Sequence, residues 1–215
     1  MKSNLIISQI DQIPQGRFVV FEGPNGSGKS TVLNMIHKKF EGTVRFTREP
    51  GGTELGRLLR ELLLAEHNCI TPLAELFLIL ADRTEHVHYL KEEKLPIISD
   101  RYFYSTIAFQ GAGRALGETF VETLCLKVVD NMLPDLVILF DCDARIGLER
   151  KKMKQNLDRI EQNDIQFHER VRESYLNIAR RRPEPFVVID TSHTEFDEVV
   201  RLAEEVVTRC FGFLH

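Results

Sequence analysis

A short apolar run, Arg17–Glu22, breaks off at Gly23, and a helical pattern begins within eight residues. Between them stands Gly23-Pro24-Asn25-Gly26-Ser27-Gly28-Lys29-Ser30, which fits G-x-x-x-x-G-K-[ST] in the strand-to-helix setting that motif requires. Glycines let backbone N–H groups turn inward around phosphates, and the helix N-terminus adds its partial positive charge. Lys29 can reach the outer phosphates, and the Ser30 hydroxyl can ligate Mg²⁺. Gly23, Asn25, Gly26, Ser27, Gly28, Lys29, Ser30 and Thr31 are therefore the expected contacts to a nucleoside triphosphate.

Four more apolar runs, Val44–Thr47, Pro96–Asp100, Leu136–Asp141 and Phe186–Asp190, alternate with stretches of helical length and spacing. Near-continuous apolar strands separated by helices predict a parallel sheet covered on both faces, with right-handed crossovers. The helical stretches are Glu54–Glu66, Leu73–Lys94, Glu118–Met132, Asp143–Lys154, Asp164–Arg182 and Glu195–Cys210. With 43% hydrophobic residues in 215, the chain can build one sizeable core, and a single domain over 1–215 is expected.

Charge and cysteine usage exclude some classes. A formal charge of −4 argues against a dedicated nucleic-acid binder. No apolar stretch approaches the ~18 residues of a membrane span, so no membrane partner is expected. Cys69, Cys125, Cys142 and Cys210 lie far apart, as free thiols of a reducing, cytoplasmic compartment would, most of them in the core. His86 and His88 fall on different faces of a helix and predict no metal pair. Asp143 reads as a helix cap after the fourth strand, and the carboxyl-terminal RCFGFLH as an apolar tail packed on the core or at a dimer contact.

A second set of residues points to a second anionic substrate. Thr47-Arg48-Glu49-Pro50-Gly51-Gly52-Thr53 puts an arginine and a tight turn at a strand's carboxyl end. Asp100-Arg101-Tyr102 ends the third strand, with Ser105, Thr106, Phe109 and Gln110 following at helical spacing. Taken singly, Asp100 also reads as a helix cap and Arg101 as a surface ion pair. From Arg145 to Arg182 the chain carries eleven Lys or Arg against six Asp or Glu, a bias that also suits a solvated pair of helices.

Together, GPNGSGKS, TREPGGT, DRYFYST-x-AFQG and LDRIEQ occur in the order and spacing of the thymidylate (dTMP) kinase family, which the chain resembles from about Arg17 to about Arg209. The resemblance implies a three-layer α/β fold of the P-loop type: a five-stranded parallel sheet flanked by helices, with a short mobile lid at about 148–163. It implies transfer of the γ-phosphoryl group of ATP, with Mg²⁺, onto dTMP, and a homodimer. By the same resemblance Arg48 and Arg101 hold the acceptor phosphate, and Arg83 hydrogen-bonds the thymine ring. Thr106, Phe109 and Gln110 lie beside the acceptor, and Asp100 joins Ser30 near magnesium. Lys29, Arg101, Arg150 and Arg159 are the expected catalytic cations, with Lys154 next, because the phosphate loop itself carries no arginine.

The chain departs from the family pattern at several places. Asn25 stands where a carboxylate is usual, Ile79 where a phenylalanine stacks on thymine, Phe109 and Tyr104 where tyrosine and aspartate are usual, and Lys152 and Lys154 at lid positions often held by arginine. Phe77, two residues before Ile79 and so on another helix face, is expected in the core. Two alternatives stay open: a related P-loop kinase with a different nucleoside monophosphate or phosphorylated metabolite as acceptor, and a non-catalytic nucleotide-binding protein.

Overall fold

A computed structural model describes residues 13–66, 68–153, 158–182 and 185–213. Five strands, β1 Phe18–Glu22, β2 Arg45–Arg48, β3 Ile97–Asp100, β4 Leu136–Asp141 and β5 Phe186–Asp190, form one sheet in the order β2-β3-β1-β4-β5. Every pairing is parallel, with Val20 opposite Ser99 on one side of β1 and Val137 on the other. The central strand is buried throughout, as a strand with neighbours on both edges and helices on both faces must be.

Side chains alternate along β1, and the two faces feed separate cores. Val19 and Phe21 pack with Val32 and Ile36 of α1 (Lys29–Lys39) and with Val199, Leu202 and Val206 of α8 (Phe196–Cys210). Phe18 and Val20 face the other way, toward α3 (Pro72–Glu92), α5 (Glu118–Val129) and α7 (Ile165–Arg181). The expected three-layer arrangement is borne out. Of the apolar tail, Phe211 and Phe213 pack against the first of these cores, and Leu214 and His215 lie outside the described residues.

The remaining helices are α2 (Glu54–Leu64), the single turn α4 (Phe103–Thr106) and α6 (Ala144–Lys152). Short polar side chains set the starts of α2, α6 and α7. Thr53 Oγ1 accepts from Gly56 N at 3.0 Å, Asp143 Oδ1 from Arg145 N at 2.9 Å and Asp164 Oδ1 from Phe167 N at 2.8 Å, each satisfying an orphan donor. After α4 the backbone continues as a π-helical stretch, Ile107–Gly113, which the residue spacing alone reads as ordinary helix. It carries Phe109 and Gln110, both buried.

One core expectation is corrected. Phe77 is 53% exposed, while Leu76 and Leu80 take the buried face of α3. Three thiols, Cys125, Cys142 and Cys210, are buried, and Cys69 is exposed.

Candidate active site

The loop after β1 closes through Gly26 (φ 78°) and Gly28 (φ 81°), both in the left-handed region that favours glycine. At Gly26 a side chain is also excluded by space, since a Cβ there would lie 2.0 Å from Gly147 O. Asn25, Gly26, Ser27, Gly28, Lys29, Ser30 and Thr31 line a cavity of about 760 Å³ whose far wall is Arg150, Lys151 and the turn Thr191–Glu195. Gly23 is not on that wall. Its carbonyl accepts from Arg101 Nη1 at 2.9 Å, so it serves the site through the backbone.

Lys29 is buried, and its Nζ donates to Asp100 Oδ1. Burial first, then the Arg101 charge, pull the ammonium well below its usual range, and Glu22 counters them in part. Glu22, at the buried end of β1, accepts from Tyr102 N at 2.9 Å, Ser105 N at 3.1 Å, Ser105 Oγ at 2.6 Å and Tyr175 Oη at 2.9 Å. Burial pushes this carboxyl up, against the opposing pull of Arg101 and of these donors.

Arg101 sits at φ 73°, a strained conformation for a residue with a side chain. Its environment over-determines it. Nη1 donates to Gly23 O at 2.9 Å, Ser105 Oγ at 3.0 Å and Tyr175 Oη at 3.0 Å, and Nη2 donates to Asn25 Oδ1 at 3.1 Å. The guanidinium lies 5.0 Å from the ring centroid of Phe109, which supports it as a cation–π partner. The amide oxygen of Asn25 thus serves as an acceptor for Arg101.

A second cavity adjoins the first. Arg60, Arg83, Arg101, Thr106, Phe109 and Gln110 stand on its wall, with Ile79 where an aromatic was the family norm. Asn25, Lys29, Ser30, Arg101 and Lys151 border both cavities, so the two meet at the phosphate loop. Arg48 is exposed in a neighbouring groove beside His37 and Phe46. Burial, followed by the charges of Arg48 and Arg101, pulls the Arg60 guanidinium below its usual range, so Arg60 and Arg101 on one cavity wall, with Arg48 in the neighbouring groove, form a cationic region that favours an anion.

Behind this wall lies a buried charged cluster. Glu49 Oε2 accepts from Arg83 Nε at 2.7 Å and Oε1 bonds His86 Nδ1 at 2.8 Å. Arg83 Nη1 continues to Thr106 Oγ1 at 2.9 Å. Burial works to raise Glu49, but Arg83 and His86 outweigh it and hold the carboxyl low. Asp82 Oδ1 accepts from Gly51 N at 2.9 Å and so pins the Pro-Gly-Gly turn, and burial and the Glu49 charge push Asp82 up to about 6. His88 is exposed on the opposite side of α3 from His86, as its spacing requires.

The expected lid cations do not gather at the junction. Arg150 Nη2 donates to Thr191 O at 2.9 Å on the wall of the first cavity. Arg159 lines neither cavity: Nη2 donates to Glu75 Oε2 at 2.6 Å and Nε to Leu63 O at 3.0 Å. Lys151 pairs with Glu161 at 2.5 Å and borders both cavities. Lys154 lies outside the described residues.

The sequence profile of the thymidylate kinase family matches residues 21–202. The chain belongs to the thymidylate kinase family. It is 40% identical over 186 residues to the thymidylate kinase of Carboxydothermus hydrogenoformans, covering 82% of this chain and 89% of that one. It is 43% identical over 183 residues to the thymidylate kinase of Chlamydia trachomatis, covering 80% and 90%. The crystal structure of thymidylate kinase from Ehrlichia chaffeensis superposes with a TM-score of 0.68 at 30% identity, over 91% of this chain and all of that one.

Within this member of the thymidylate kinase family, the motifs overlooked Arg60, Glu22, Tyr175 and Glu75. Arg60 and Arg57 share one leucine-rich helix with no local mark to separate them. Glu75, Asp82, Arg83 and His86 did carry a signal: titratable residues at three-, four- and seven-residue steps lie on one face of the helix, the face that also holds Leu76, Ile79 and Leu90.

Proposed function

We propose that this protein transfers the γ-phosphoryl group of ATP to dTMP, giving dTDP and ADP. The observation that carries this reading is the shared wall of the two cavities. A triphosphate on the loop and a monophosphate beside Arg60 and Arg101, with Arg48 in the neighbouring groove, are brought together at Lys29, Arg101 and Lys151. An acceptor phosphate oxygen attacks the γ-phosphorus while the bond to the β–γ bridging oxygen breaks, and the leaving oxygen departs with ADP. Such a transfer needs mainly alignment and charge neutralisation. Lys29 neutralises the donor, Arg60 and Arg101 orient the acceptor, and Lys151 supplies charge between them.

The acceptor base is read by Arg83, Thr106 and Gln110 over Ile79 and Phe109. We assign Mg²⁺ to the oxygens of Ser30 and Asp100. Hard oxygen donors suit this ion, and it is held by few protein ligands beside substrate phosphates; among the described residues no cluster of three or more His, Cys, Asp or Glu forms a dedicated metal cage. When bound, the ion supplies charge neutralisation of the transferring group.

No helix among the described residues is long and apolar enough to cross a membrane. Four free thiols and nucleotide substrates support a cytoplasmic location. Exposed Leu55, Leu58, Leu62, Leu73 and Phe77 on α2 and α3 are the surface we assign to a second copy of the chain. Sedimentation of wild type and of Leu58→Asp tests the homodimer, and a monomeric wild type overturns it.

The activity is tested by coupled ADP release with ATP·Mg²⁺ and dTMP, dUMP, UMP, CMP, AMP and GMP as acceptors. Preference for dTMP is expected. Preference for another acceptor would assign Asn25, Ile79 and Phe109 to a changed specificity, and ATP binding without turnover on any acceptor would defeat the kinase reading.

A further inference from the structure

Glu75 is fully buried in the first turn of α3, outside every motif, yet four hydrogen bonds converge on it. Oε1 accepts from Gln110 Nε2 at 2.8 Å and Arg114 Nε at 3.2 Å, and Oε2 from Arg159 Nη2 at 2.6 Å and Arg114 Nη2 at 3.2 Å. Burial works to raise the carboxyl, but the hydrogen bonds of Gln110 and Arg114 and the Arg114 charge hold it below its ordinary range. It is therefore an anion, and an ionised carboxylate only accepts.

That chemistry decides which way the Gln110 amide faces. Its NH₂ group must point at Glu75, because the carbonyl end would set oxygen against oxygen. The carbonyl Oε1 carries no donor from the described residues and is not sealed from solvent, and Gln110 stands on the wall of the acceptor cavity. On the same wall Arg83 has Nε and Nη1 committed to Glu49 and Thr106, which leaves Nη2 to donate into the cavity. The cavity thus offers one donor and one acceptor from fixed groups.

We propose that Glu75 is a specificity-determining positioning residue that locks the Gln110 amide with its carbonyl toward the acceptor base, so that the site takes an imide base and rejects cytosine. An imide base such as thymine or uracil presents a carbonyl at position 4 and an N–H at position 3, which match Arg83 and Gln110. Cytosine presents an amino group and a bare ring nitrogen at those places, so both contacts would oppose like with like. A site built around fixed hydrogen bonds discriminates strongly because the wrong partner leaves buried groups unpaired. This inference rests on the dTMP reading above and names the residue that sets its polarity.

The test compares kcat/KM for dTMP and dCMP in wild type, Glu75→Gln, Glu75→Asp and Arg159→Met. A glutamine at 75 can accept or donate, so Gln110 is free to turn over, and the dTMP-to-dCMP ratio should fall by about tenfold or more. Glu75→Asp keeps an acceptor-only group and should retain most of the ratio. Arg159→Met removes another partner of Glu75 and should slow both acceptors alike, leaving the ratio unchanged, which separates base reading from a general loosening of the wall.

If Glu75→Gln does not fold, the wild type still answers. With ¹⁵N-labelled glutamine, the Gln110 side-chain NH₂ signal, assigned by its loss in Gln110→Leu, should show protection from solvent exchange before any acceptor is added. An unprotected NH₂ would overturn the assignment. A wild type without preference for dTMP over dCMP would defeat this inference together with the dTMP reading. A wild type that prefers dTMP, beside a folded Glu75→Gln enzyme that keeps the full preference, would defeat the Glu75 inference alone.

Discussion

Replacing Glu49 by alanine tests the buried cluster that fixes Arg83. Both partners are out of solvent, Glu49 at 2% and Arg83 at 1% exposure, and the carboxylate bonds Arg83 Nε at 2.7 Å and His86 Nδ1 at 2.8 Å. Removing it leaves the guanidinium with the Thr106 hydroxyl at 2.9 Å, the Cys125 thiol at 3.7 Å and the Tyr102 ring centroid at 5.6 Å, none of which carries a full compensating charge. Breaking one side of a buried ion pair costs about 3–5 kcal/mol, most of it the uncompensated charge left behind. For a chain of this length each kcal/mol lowers Tm by about 2–4 °C, so a drop of roughly 6–20 °C is expected. The double variant Glu49→Ala/Arg83→Met removes the stranded charge too and should recover part of that loss. Urea unfolding and thermal melts of wild type, both single variants and the double variant supply the cycle. Glu49→Ala within about 1 kcal/mol of wild type, or a double variant no more stable than Glu49→Ala, would refute the reasoning.

Lys29→Ala should leave the melting curve near wild type while turnover falls by a factor on the order of 10² or more, and near-normal turnover would remove the phosphate loop from the chemistry. Tyr175→Phe deletes one hydroxyl shared by Glu22 and Arg101. It should raise KM for the acceptor several-fold, consistent with about 1 kcal/mol for one hydrogen bond, with little change in KM for ATP; equal effects on both would point to general damage. Asp82 has its carboxyl raised from the ordinary 3.8 to about 6 in the fold, so between those values the native state binds more protons than the unfolded chain and stability falls as pH rises. Asp82→Asn removes this titration and should gain at most about 3 kcal/mol over wild type at pH 8 relative to pH 4, measured by urea unfolding across that range. An unchanged pH dependence in Asp82→Asn would place the titration elsewhere.

The features legible in the residue order are local ones. Five apolar runs with intervening helices specify the parallel sheet, and their boundaries shift by a residue or two only where flanking side chains such as Arg17 and Val44 leave the ladder. The phosphate loop is legible because its function is carried by consecutive backbone groups, whose glycine torsions, strand and helix N-terminus all lie within a dozen residues. Arg101, Thr106 and Gln110 were also legible, since one strand end and the turn after it present them together.

The order β2-β3-β1-β4-β5 decided the rest, because it brings together charges that no window of sequence contains. Glu49 and Arg83 are 34 residues apart, Glu75 and Arg159 are 84, and Glu22 and Tyr175 are 153. Whether a charged residue on a helix is solvated or buried depends on whether an opposite charge arrives from another element to offset its desolvation. For that reason Arg159, read from its motif as a catalytic cation, is found on Glu75, and Arg60, unmarked in its helix, is found lining the second cavity with Arg101. Phe77 lies exposed because the neighbours of α3 cover the face that holds Leu76, Ile79 and Arg83, and only tertiary packing decides which face of a mixed helix meets the core.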